Sequence, residues 1–317
     1  MKIILVTPAV PRSRAGNRAT AIRWRNILVE LGHRVDVRTE FIGGRYDAMV
    51  ALHAWRSAGS IRRFHMQCPD RLLVVALTGT DIYKFIKTDP DPTLYSIRVA
   101  DVLVTLHDLA GLAISARHRE KISVIHQSAR PVVRKRARRG KIFKVCVIGH
   151  LREEKDPLRA AYAVRRLPRH SCIQVNQYGK AHSQVWAERA AREMRDNARY
   201  HWHDEVPHWK IRRVYAAADV MVLSSRMEGG ANVISEACVA GLPTIASEIA
   251  GSVGLLGKDY PGYYATGDTR ALRDLLLRAE SAPDWLQTLQ TACQARAALF
   301  SYEREKKQWQ GLLRQAS

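Results

Sequence analysis

Two glutamates stand eight positions apart in Ser225-Arg226-Met227-Glu228-Gly229-Gly230-Ala231-Asn232-Val233-Ile234-Ser235-Glu236-Ala237, on either side of a glycine turn. Carboxylates hold hydroxyls, and glycines let backbone amides come close to a ligand. A helix N-terminus favours anionic groups. A nucleotide sugar presents both kinds of group. The apolar run before the pair reads as a buried strand at 220–224, and 232–240 reads as the helix after it. Glu228 then lies in the turn and Glu236 on the helix, at the carboxyl end of a strand, where doubly wound sheets bind ligands.

The elements that must position this pair alternate between strand and helix, in two series. In the first half, strands are expected at 3–6, 34–38, 48–52, 72–77, 102–106 and 122–125, with a helix over 20–31 that Gly32 ends. The second half restarts with strands at 144–149, 173–178, 220–224 and 244–246. Two doubly wound, Rossmann-like α/β domains follow, one over 1–139 including a linker and one over 140–299, with a C-terminal helix over 300–317.

Composition narrows the function. A chain of 317 residues, 46% of them apolar, can bury two cores. Its net charge of +21 attracts anions of any kind: nucleic acid, acidic membrane or phosphorylated small molecules. The stretch 130–144 has eight basic residues and no acidic one. Pro131, Val132, Val133 and Gly140 interrupt it and no aromatic falls among its basic residues over 130–141, so a solvated linker is favoured over nucleic-acid binding. No apolar run reaches the roughly 18 residues that span a bilayer, so stable membrane insertion is not expected, although Ile82-Tyr83-Lys84-Phe85-Ile86-Lys87 is a short basic and apolar stretch. Cys68, Cys146, Cys172, Cys238 and Cys293 are odd in number and form no CxxC pair, which suggests buried free thiols in a reducing, cytoplasmic setting.

The second half resembles the retaining family-four glycosyltransferases of the GT-B fold, on the paired glutamates and on Gly149-His150-Leu151-Arg152-Glu153-Glu154-Lys155-Asp156-Pro157. The resemblance implies an acceptor-side first domain, a nucleotide-sugar second domain, a C-terminal helix that crosses back to the first, an active site in the cleft between the domains, and Lys155 on the donor diphosphate. His150 stands where the family has an arginine, and Arg152 supplies the guanidinium instead. Glu228 would contact the donor sugar and Glu236 the ribose, with the amides of Gly229, Gly230, Asn232 and Val233 lining the site. Fixed cations there would stabilise charge building on a leaving diphosphate, so Glu228, Lys155 and Arg152 form the expected catalytic set. Gly251, Gly254 and Gly257, with Ser252, are expected to form a backbone-lined phosphate or sugar loop.

Along nearly the whole chain, further segments resemble the selenosugar synthases of selenoneine biosynthesis. They are Gly16-Asn17-Arg18, Ala51-Leu52-His53-Ala54-Trp55-Arg56-Ser57, Leu77-Thr78-Gly79-Thr80-Asp81 and Tyr260-Pro261-Gly262-Tyr263. This implies transfer of N-acetylglucosamine from UDP-N-acetylglucosamine to selenophosphate, forming a carbon–selenium bond, with the enzymes that supply selenophosphate as partners. Gly16, Asn17, Arg18, His53, Thr78, Gly79, Thr80 and Asp81 would face the acceptor, with Arg12 and Arg14 contributing to an anion pocket. Thr78 stands where many relatives carry a histidine. His53 is an equal candidate for a structural or a catalytic role.

No cofactor or metal is expected. Asp89-Pro90-Asp91 reads as a turn and helix cap rather than a metal motif. The histidines of His201-Trp202-His203-Asp204 and His208 read as strand and loop. Three alternatives stay open: a family-four transferase with a lipid or saccharide acceptor, an epimerase that uses the donor alone, and a nucleic-acid binder without activity.

Overall fold

The computed structural model describes residues 1–11, 13, 16–132 and 142–315. Arg12, Arg14 and most of the basic stretch lie outside the described residues. The chain divides into two compact units. The first holds Met1–Ser128, Glu228–Asn232 and Ser301–Ser317, and the second Ala129–Met227 and Val233–Phe300.

The first unit runs β1 (Lys2–Val6), α1 (Gly16–Glu30), β2 (Arg34–Arg38), β3 (Ala48–Leu52), α2 (Ala58–Gln67), β4 (Leu72–Leu77), a π-helical turn (Asp81–Phe85), α3 (Ile86–Thr88), α4 (Pro90–Val99), β5 (Val102–Thr105) and β6 (Ile122–Val124). Its parallel sheet has the order β2-β1-β3-β4-β5-β6. Strand β3 is buried at all five positions, as expected for a strand covered on both faces. Edge strand β2 carries Arg34, Asp36 and Arg38, charges that discourage further pairing. Helix α1 begins four residues earlier than its apolar pattern suggests. It ends as expected at Gly32, whose φ of 88° allows His33 N–H to reach Leu28 O and Gly32 N–H to reach Val29 O.

The second unit runs β7 (Phe143–Ile148), α5 (Arg159–Val164), β8 (Ile173–Tyr178), α6 (Gln184–Asp196), β9 (Tyr200–Trp202), α7 (His208–Ala217), β10 (Val220–Leu223), α8 (Asn232–Ala240, whose first residue belongs to the first unit), β11 (Thr244–Ser247), α9 (Ala250–Leu256), β12 (Tyr263–Tyr264), α10 (Thr269–Ser281) and α11 (Pro283–Arg296). The strand order is β12-β11-β10-β7-β8-β9, all parallel. From β7 the strands are added first to one side (β8, β9) and then to the other (β10, β11, β12), and the switch point between β7 and β10 is where such sheets bind ligands.

Two expectations are corrected. Gly251 and Gly254 sit buried within α9 rather than in a loop, because their three-residue spacing places them on one helical face; Gly257, with φ of 95°, ends the helix. The thiols are all free, but only Cys146, Cys238 and Cys293 are buried, while Cys172 is exposed. No helix among the described residues is long and apolar enough to cross a membrane.

The last helix, α12 (Tyr302–Gln315), belongs to the first unit. Trp309 is fully buried edge-on against Trp24, with ring centroids 4.9 Å apart. Beside them Glu305, 0% exposed, accepts hydrogen bonds from Arg23 Nε (3.2 Å), Trp24 Nε1 (2.8 Å), Ser128 N (2.9 Å) and the Ser128 hydroxyl. Removing this carboxylate strands four donors, a loss of about 3–5 kcal/mol for a broken buried pair. Hydrogen exchange should therefore show protection falling over α1 and α12 in Glu305→Ala, less so in Glu305→Gln, with α10 unchanged.

Candidate functional site

At the switch point of the second sheet, the loops after β7 and β10 are stitched together. Ser224 Oγ donates to the carbonyls of Asp156 (2.9 Å) and Lys155 (3.2 Å), and Arg226 N–H donates to Glu154 O (2.9 Å). A small pocket there is lined by Gly149, Lys155, Gln177 and Ser225, among others. The loop after β8 presses on the same place. Gly179, at φ of 149°, lies so close that a Cβ would sit 2.1 Å from Gly149 O, which leaves room for glycine alone.

Cations collect on this scaffold. His150 Nδ1 accepts the Lys180 N–H (3.2 Å), which leaves Nε2–H as the ring's donor when neutral. Burial, and then the charges of His182, Arg152, Lys155 and Lys180, push the His150 pKa down to about 4. Arg152 Nε is buried with no hydrogen-bond partner among the described residues. A buried guanidinium N–H left open costs free energy until an anion fills it.

Glu236, on α8, accepts from Tyr215 Oη (2.6 Å) and from His208 Nε2 (3.2 Å). Tyr215 carried no signal in the sequence, and His208, expected in a strand or loop, instead opens α7; both partners lie one helix before the motif. Val233 is half-buried in the first turn of α8. Gly251 and Ser252 are buried in the first turn of α9, and the Ser252 hydroxyl has no hydrogen-bond partner among the described residues.

The remaining predicted residues belong to the first unit. Glu228 is 8% exposed. A Cβ on Gly229 would sit 2.1 Å from the Thr78 carbonyl carbon, and one on Gly79 (φ 113°) would sit 2.5 Å from Gly229 N. These two glycines thus allow backbone to touch backbone. Asn232 Oδ1 accepts from Arg23 (3.2 Å), a partner that no spacing in the sequence signals. Gly16, Asn17 and Arg18 form the first turn of α1, with Asn17 O accepting from the Thr7 hydroxyl (3.4 Å).

Asp81 anchors the turn after β4. It is 0% exposed, and its carboxylate accepts the N–H groups of Ala54, Thr78, Gly79 and Ile82 at 2.8 to 3.1 Å. His53 is held at both ring nitrogens. At φ of 73°, its Nε2 meets Thr80 Oγ1 (2.9 Å) and its Nδ1 accepts Arg56 N–H (3.2 Å). Asp89 occupies the cap position of α4, yet its carboxylate accepts Trp55 Nε1 (2.9 Å) and makes no cap bond. Among the described residues no group of three or more His, Cys, Asp or Glu side chains could hold a metal ion.

The Glu236 contact yields a pH prediction. The hydrogen bond to Glu236 raises the His208 pKa, so the pair's added stability is complete below the ordinary value of 6.5 and is lost as pH rises through the higher folded value. Imidazole titration followed by NMR should place the His208 midpoint above 6.5. In Glu236→Gln it should fall below that value, because burial and the charges of Arg212 and Arg130 remain.

Residues 130–296, more than half of the chain, match the family model for glycosyl transferases group 1. A search of curated proteins finds no match. Among solved structures, the chain is similar to Anabaena Alr3699/HepE in complex with UDP and glucose (16% identity, TM-score 0.79, covering 99% of this chain and 100% of that one). It is also similar to sucrose-phosphate synthase from Thermosynechococcus elongatus (17%, 0.80, 99% and 98%) and to a glycosyltransferase from Rickettsia africae (13%, 0.75, 99% and 98%). At these identities the likeness is one of fold, two six-stranded Rossmann-like domains of the GT-B type. With the family model matching over most of the second unit, the chain belongs to the group 1 glycosyl transferases.

Proposed function

We propose that the protein transfers N-acetylglucosamine from UDP-N-acetylglucosamine to selenophosphate, giving a selenosugar for selenoneine biosynthesis. The observation that carries the donor half is the open, buried Arg152 N–H beside Lys155 and His150, at the switch point of the second sheet. That arrangement suits a diphosphate. Family membership and the UDP-glucose complex of Anabaena HepE favour a UDP-sugar. In this reading Arg152 and Lys155 take up charge as the anomeric carbon–oxygen bond breaks and its electron pair leaves on the β-phosphate. Glu236 holds the ribose, Glu228 the sugar.

The acceptor half rests on the segments around Gly16, His53, Thr78 and Tyr260 that resemble selenosugar synthases. A selenophosphate anion brings its own nucleophilic electron pair, so the carbon–selenium bond forms without a general base. The internal engagement of His53 is compatible with that chemistry. One observation favours a saccharide acceptor instead. Trp55 and Phe85 stack at 4.1 Å with the Arg56 guanidinium 5.7 and 5.6 Å from their rings, a platform on which a sugar ring could pack.

Mass spectrometry of anaerobic reactions with UDP-N-acetylglucosamine and selenophosphate tests the reading. A selenosugar and free UDP should appear only when both substrates and the wild-type protein are present, and product should fall at least about 100-fold in Glu228→Gln, the loss of one transition-state contact. Donor binding without turnover, relieved by a saccharide, would transfer the assignment to the platform reading.

A further inference from the structure

The π-helical turn after β4 carries a tyrosine that none of the roles above uses. Asp81 pins the start of this turn through four backbone N–H groups. Two residues on, half-buried Tyr83 places its hydroxyl 3.1 Å from Nε2 of His107, which is 0% exposed at the carboxyl end of β5. His107 Nδ1 accepts the Leu109 N–H (3.3 Å), so in the neutral ring Nε2 carries the proton and donates it to Tyr83 Oη. The tyrosine then keeps its own O–H for another acceptor, and the described residues offer it none.

The pair stands beside the glutamate motif. Gly230 lies so close to the same strand end that a Cβ there would sit 2.3 Å from Leu106 Cβ, and Gly79, just before the turn, touches Gly229. The charge of Glu228 is felt at His107. Burial holds His107 down at about 4 and Tyr83 up at about 12, so both stay neutral through the physiological range. A neutral O–H that accepts from the His107 Nε2–H keeps its own proton to donate, which suits an oxyanion.

We propose that Tyr83 donates a hydrogen bond to a phosphate-type oxygen of the acceptor, and that His107 is the positioning residue that orients it. The proposal rests on the transfer reading above. It adds a contact to the acceptor side, where His53 and Asp81 are spent internally.

Anaerobic calorimetric titration of selenophosphate into the UDP-bound protein tests it without requiring turnover. Tyr83→Phe should weaken selenophosphate binding about tenfold, the loss of one charge-assisted hydrogen bond, with UDP affinity unchanged. His107→Leu should weaken it similarly, and His107→Gln, which keeps an N–H donor, should recover it to within about threefold. The double variant Tyr83→Phe/His107→Leu should bind no more weakly than Tyr83→Phe, because the two act through one contact. Unchanged affinity in Tyr83→Phe, additive losses in the double variant, or a UDP-bound wild type that ignores selenophosphate would each overturn the proposal. Failure of the wild type to bind UDP would overturn the transfer reading on which it stands.

Discussion

The proposed donor half of the site depends on how two loops are tied where the strand order of the second sheet turns back. Ser224 Oγ and Arg226 N–H bind the carbonyls of Lys155, Asp156 and Glu154, and so fix the backbone from which the Lys155 side chain springs. Gly179 then closes the third side by pressing its Cα against the Gly149 carbonyl. Cationic groups held this way pay little to reorganise when a leaving group becomes charged, which is the condition under which fixed charge lowers a barrier.

Charge is rationed within that frame. The chain as a whole carries +21, yet His150 at the head of the loop is neutral. With a pKa of about 4, roughly one ring in a thousand is protonated at pH 7. Burial is the largest cause, and every neighbouring charge acts in the same direction. Formal charge at the loop therefore comes from Arg152 and Lys155, while His150 offers a neutral N–H. The first unit follows a similar rule at His107, where burial again outweighs the nearby carboxylates of Asp108 and Glu228.

Legibility in the sequence followed the range of the interaction. Strands β3, β4 and β8 and helix α8 matched the expected ranges, because continuous burial, strict alternation as in β8, or a 3.6-residue period writes itself into adjacent residues. The two-residue strand β12 left no such pattern. Spacing misled at Gly251 and Gly254, where glycines three apart serve a helix face as readily as a loop. Contacts between distant segments were invisible: Glu305 with Arg23 and Trp24, Arg23 with Asn232, and Tyr215 and His208 with Glu236. Residue type marked Asp81 and His53 as chemically able, and only their partners show that their capacity is used to hold the turn.

If the loop after β7 is the proposed diphosphate clamp, calorimetric titration of UDP, UMP and uridine into the wild-type protein and Arg152→Ala will show it. UDP should bind the wild type at least about 30-fold more tightly than UMP, from two or more charge-assisted hydrogen bonds, and Arg152→Ala should remove most of this difference while leaving uridine unaffected. Equal affinities for all three ligands, or a preference for UDP that survives in Arg152→Ala, would contradict the clamp.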